Sequence, residues 1–128
     1  GLSSTELSRI PAGAFQDLTS LERIELSHLS LENADDLPVG LFEPMYSSLN
    51  TLEIINSGLT HLDPMVFAAK FEQLDYLFLH FNEIAEVTGQ NLDLFAVINK
   101  RTILESNPLS KESRSLIRSR FSEERVGF

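Results

Sequence analysis

Cysteine and tryptophan are both absent from the 128 residues. The first absence removes disulfides, thiolate nucleophiles and thiolate metal sites together. No run of about 18 apolar residues occurs, so nothing reads as a membrane-spanning helix. The opening, GLSSTELSRI, has no charged head followed by a long apolar stretch, so it does not read as a signal peptide. Its first residue is not methionine, which sets the expectation of a processed or excised piece. No Asn-x-Ser/Thr sequon is present, and neither a P-loop, a G-x-G-x-x-G nor a nucleophile elbow occurs. Cations are scarce: 10 Lys and Arg stand against 19 Asp and Glu, for a net charge of −9 and a pI near 4.7. Such a surface repels nucleic-acid backbones and anionic membranes on average; it would favour a basic partner, but solubility alone explains the charge as well and is the preferred reading.

What the chain does have is a repeating apolar pattern within a 42% hydrophobic composition. Leu21, Ile24, Leu26 and Leu31 occupy positions 1, 4, 6 and 11 of LERIELSHLSL. Leu49, Leu52, Ile54 and Leu59 do so in LNTLEIINSGL, and Leu74, Leu77, Leu79 and Ile84 in LDYLFLHFNEI. A degenerate copy, NKRTILESNPL, keeps Leu104, Asn107 and Leu109, and a truncated one at the start keeps Leu2, Thr5 and Leu7. The four full copies begin at residues 21, 49, 74 and 99, so the periods are 28, 25 and 25. Position 9 reads Thr5, Leu29, Ser57, Asn82, Asn107, a column whose polar side chains satisfy backbone groups at a bend. Leu29 cannot do so and precedes the longest spacer, which predicts an irregular turn near residues 31–40.

Alternate apolar residues read as a short strand with one buried side. A single copy cannot cover that side, so neighbouring copies stack and their strands form a parallel sheet. The spacers carry Phe15, Phe42, Phe67 and Phe95, eight to eleven residues after the last template apolar position. These are expected to pack as an internal spine. Prolines 11, 38 and 64 end strand pairing and start short turns or helices. The predicted architecture is therefore an α/β solenoid. It is a horseshoe segment with a short parallel concave sheet, an irregular or short-helical convex side and a C-terminal capping helix. The array spans residues 1–109 and the helical cap and tail residues 110–128. In the cap, Ser110 can begin a helix with Leu116, Ile117 and Phe121 on one face and arginines 114, 118 and 120 over the rest.

IPAGAFQDLTSLERIEL and the closing NPL resemble the typical class of extracellular leucine-rich-repeat proteins, over residues 2–109. Within that class the chain is most similar to secreted arthropod members, a group that includes the non-catalytic subunit of crustacean luciferin monooxygenase. The resemblance implies a secreted, extracellular protein whose concave face binds another protein. Family members usually carry a cysteine-rich C-terminal cap, and this chain has none.

Outward positions of the template can be read in columns. Position 3 gives Arg23, Thr51, Tyr76 and Arg101; position 5 gives Glu25, Glu53, Phe78 and Ile103. Position 7 gives Ser27, Ile55, His80 and Glu105; position 8 gives His28, Asn56, Phe81 and Ser106. The third strand is unusual, presenting Tyr76, Phe78, His80 and Phe81 between Ile55 and Ile103. Large aromatics on a solvent-facing sheet call for a cover, and interface hot spots favour such residues inside a charged rim. Glu53, Arg101 and Glu105 are the expected rim. His28 and His80 stand two strands apart, about 10 Å, too far to share one metal ion. Asp35-Asp36 is a weak calcium signal. No acid, base and nucleophile converge, so no enzyme activity and no cofactor are expected. The expected role is a non-catalytic protein-binding module, through a protein partner or self-association. The alternative is a structural subunit of a larger complex, held by the same patch and by an open N-terminal strand edge. A third possibility, an intracellular regulatory solenoid, is favoured only by the missing cysteines and sequons.

Overall fold

The computed structural model describes residues 2–3, 10–11, 13–27 and 37–128. The truncated copy at Thr5 and Leu7, His28, the Leu29 gap and Asp35-Asp36 lie outside the described residues, as does most of the turn expected near 31–40.

Strands β1 (Leu2–Ser3), β2 (Arg23–Ser27), β3 (Thr51–Glu53), β4 (Tyr76–Phe78), β5 (Arg101–Ile103) and β6 (Val126–Gly127) lie side by side in chain order, every pair parallel. Among the described residues two α-helices, α1 (Gly89–Val97) and α2 (Lys111–Arg120), complete an α/β arrangement. The register follows the template columns: Arg23, Thr51, Tyr76 and Arg101 are successive partners, and so are Glu25, Glu53, Phe78 and Ile103. No described helix is long and apolar enough to cross a membrane.

The alternation of the sequence explains which side is buried. Ile24, Leu52 and Leu77 form one inward column, continued by Thr102; Leu26, Ile54, Leu79 and Leu104 form the next. Beyond β3, β4 and β5 the chain bends at a residue in the left-handed region: Asn56 at φ 52°, Phe81 at 60° and Ser106 at 61°. The position-9 residue that follows seals the bend. Asn82 Oδ1 accepts the amides of Ser57 (3.0 Å) and Leu59 (3.3 Å), while its Nδ2 donates to the carbonyls of Ile54 and Leu79. Asn107 repeats the pattern, accepting from Ile84 and donating to Leu79 and Leu104. The shorter Ser57 hydroxyl donates to the Leu26 carbonyl instead.

Opposite the sheet, the chain between strands forms turns, one 3-10 turn at Glu43–Met45 and α1. Phe42 is fully buried, with ring centroids 6.2 Å from Phe15, 5.7 Å from Phe67 and 6.3 Å from Phe71. Phe95 continues the aromatic packing towards Phe121. Thr88 opens α1 with a capping box closed by Asn91, whose Nδ2 also donates to the Leu62 carbonyl.

Helix α2 begins where expected, with Ser110 as its cap. Its buried line is Ser113 and Ile117, with Phe121 partly covered below. Leu116 does not join them and stays 44% exposed. The reason is geometric: residues four apart share a face, whereas Leu116 is turned about 100° from Ile117. Glu86 anchors the helix start by accepting both the Ser110 and Ser113 hydroxyls at 3.0 Å. The sequence assigns no strand to the tail. It forms β6, with the Thr102 amide donating to Arg125 and the Leu104 amide to Gly127.

Two stability outcomes follow from the buried polar groups. Asn82→Ala strands several backbone groups at once and should cost about 2–4 kcal/mol in urea unfolding. Thr102 is fully buried in an apolar column, and its Oγ1 has no hydrogen-bond partner among the described residues. Thr102→Val should therefore stabilise the protein by about 1 kcal/mol in the same measurement.

Candidate functional site

Period-2 geometry sends Tyr76 and Phe78 out of the same side of β4, and His80 and Phe81 follow directly as the chain turns. The four rings form one continuous ladder. Tyr76 and Phe78 stack with centroids 5.6 Å apart and planes 18° from parallel. His80 meets Phe78 edge-on at 6.2 Å and Phe81 edge-on at 5.6 Å. Tyr76, Phe78 and His80 are half-buried by one another, while Phe81 remains 58% exposed. His80 Nδ1 is sealed between the rings, without a hydrogen-bond partner among the described residues. The imidazole thus acts here as aromatic surface.

The flanks come from the neighbouring strands. Ile103 is the direct partner of Phe78, and Arg101 that of Tyr76. Ile55 is half-buried beside the ladder; the amides of Ile54 and Asn56 on either side of it donate to Phe78 and His80. The sequence columns therefore bring together Tyr76, Phe78, His80, Phe81, Ile55 and Ile103 as one face.

The expected rim is different. Glu53 is only 9% exposed and is held by Arg23, which also lies 3.6 Å from Glu25. It is a buried structural carboxylate, not a free rim charge, because Arg23 and Glu25 sit on the adjacent strand in register with Thr51 and Glu53. Arg101 turns towards the tail, its Nη1 3.4 Å from the Glu124 carbonyl and its Nη2 close against Gly127. Together with Glu105, Arg118, Glu123, Gly127 and Phe128 it lines a cavity of about 160 Å³. Arg118 covers the Phe128 ring there at 4.8 Å. One cation missing from the sequence columns does reach the ladder: Lys100 Nζ lies 5.8 Å over the Tyr76 ring and 4.0 Å from Asp75. Its signal was weak, since Lys100 precedes the strand and belongs to no outward column. Among the described residues no group of three or more His, Asp or Glu is placed to hold a metal ion.

Burial raises the Glu53 carboxyl above its ordinary value of 4.5, a hydrogen bond with Glu25 adds to this, and Arg23 offsets only part of it. A carboxyl raised by folding stabilises the native state below its unfolded value; that contribution fades as pH climbs through the raised value. The stability of the wild type relative to Glu53→Gln should therefore fall as pH rises from about 4.5 towards neutrality, read as urea midpoints of the two proteins. A pH-independent difference would contradict it.

Comparison with protein-family models, with curated proteins and with solved structures finds no match for this chain.

Proposed function

We propose that the chain is a segment of a leucine-rich-repeat solenoid of the extracellular typical class, and that it serves as a non-catalytic protein-binding module. The repeat reading is supported by parallel strands in template register, by the recurring left-handed bend and by the buried asparagine column. The binding reading places the partner on the β4 ladder of Tyr76, Phe78, His80 and Phe81. The secreted location follows from the resemblance of IPAGAFQDLTSLERIEL and NPL to that class.

One observation carries the binding reading. Phe81 sits at φ 60°, where its counterparts are Asn56 and Ser106, and it is 58% exposed. A left-handed conformation costs an ordinary L-residue roughly 1–2 kcal/mol, and asparagine tolerates it far better than phenylalanine. An exposed aromatic ring returns little of that cost to the fold. Strain combined with exposure is the signature of a residue kept for contact with something else.

Phe81→Asn should raise unfolding stability by about 0.5–1 kcal/mol while removing contact area. Immobilised wild type, Phe81→Asn and Phe78→Ser are compared for capture of partners from the source fluid, and light scattering reports self-association. Loss of capture or association in a variant that is at least as stable supports the assignment. Unchanged capture and mass in both variants would sink it.

A further inference from the structure

The column at position 5 runs Glu25, Glu53, Phe78 across three adjacent strands. Among the described residues two carboxylates there share a single guanidinium, that of Arg23, which leaves one negative charge in excess, with buried Glu53 on the strand next to the ladder and Glu25 one strand further away. At the Tyr76 end of the ladder, Asp75 and Lys100 pair with each other. Glu25 retains 40% of its side-chain exposure, so this negative charge is open to solvent. The ladder itself already attracts a cation: Lys100 lies over Tyr76, the ring stacked on Phe78. An aromatic face next to a carboxylate favours a guanidinium or ammonium group by two additive attractions, ring quadrupole and charge.

We propose that the β4 ladder recognises a basic polypeptide segment, with an arginine or lysine of the partner lying across the Glu53 row between Phe78 and the exposed Glu25 carboxylate. This rests on the protein-binding reading given above and specifies the chemistry of the partner. A second copy of the chain fits poorly. A two-fold interface would bring two Glu25–Glu53 pairs together and join two molecules that each carry a net charge of −9. A cationic partner is instead attracted at long range and finds its counter-charge at the face.

The probe is a short fluorescein-labelled peptide of alternating glycine and arginine, followed by anisotropy at low salt. Its control replaces each arginine by citrulline, which keeps the shape and removes the charge. The arginine peptide should bind at least about tenfold more tightly. Glu25→Gln and Phe78→Leu should each weaken binding by about three- to tenfold, and neither removes a fully buried side chain. Glu112→Gln removes an equal charge from exposed α2 and should leave binding unchanged. No binding of the arginine peptide overturns the inference. Equal binding of the citrulline peptide overturns it too, while leaving the face a docking surface. Equal weakening by Glu112→Gln shows diffuse attraction to an acidic chain and also overturns it. The protein-binding reading itself fails separately, when Phe81→Asn and Phe78→Ser keep full capture and an unchanged mass.

Discussion

The carboxamide of Asn82 is the interaction on which the arrangement most depends. Its two ends make four hydrogen bonds, reaching the segments after both β3 and β4. Asn107 makes the equivalent set one strand further on, and the Leu79 carbonyl accepts from both amides. These bends are buried, so their backbone groups have no water to fall back on, and each unpaired one would cost about 1–3 kcal/mol. A side chain with one acceptor and one double donor is the smallest group that can pair backbone on both neighbouring segments. Once the bends are fixed, the strands have no freedom of register, and the apolar columns Ile24–Leu52–Leu77 and Leu26–Ile54–Leu79–Leu104 meet in the interior.

Fixed register also dictates what stands outside. A one-residue slip would send Leu77 and Leu79 to solvent and the rings of Tyr76 and Phe78 into the core. The buried columns forbid it, so the ladder is held outward by the leucines behind it. The same logic places Glu25 beside Glu53 and makes Arg23 their shared counter-ion. Neither the strained bend at Phe81 nor the crowded carboxylates help the fold; the interior supplies the stability that lets both persist.

Much of this was legible because the template encodes side as well as position. The strands β2 to β5, the outward columns and the phenylalanine spine follow from period-2 alternation and from spacing alone. Where the reading fell short, the missing information was not periodic. β6 is only Val126–Gly127, too short to show alternation, and it exists because β5 offers an unpaired edge at the right distance. Leu116 is apolar but its angular position in α2 turns it to solvent, and small Ser113 takes the buried place through its bond to Glu86. Glu53 looked like a rim charge because exposure was inferred from column membership. Its burial comes from the neighbours it meets across strands, above all Arg23, thirty residues away in sequence.

The aromatic strand and its acidic neighbour draw on the same constraint. Same-side residues stand about 6.6 Å apart along a strand, close enough for rings to stack, and adjacent strands lie about 4.8 Å apart, close enough for charges to crowd across two. Charged or bulky groups in successive rows can neither spread out nor turn inward, since the inner side is filled. What Arg23 leaves of the charge cost, and the exposure of the rings, is relieved from the solvent side. For the rings, relief means an apolar cover; for the Glu25–Glu53 pair it means a cation. Because the two features occupy one column, Glu53 against Phe78, a single group that is flat, apolar on its faces and positively charged can relieve both. The guanidinium of arginine meets that description better than the compact, strongly hydrated ammonium of lysine, since it stacks on rings while pairing with carboxylates.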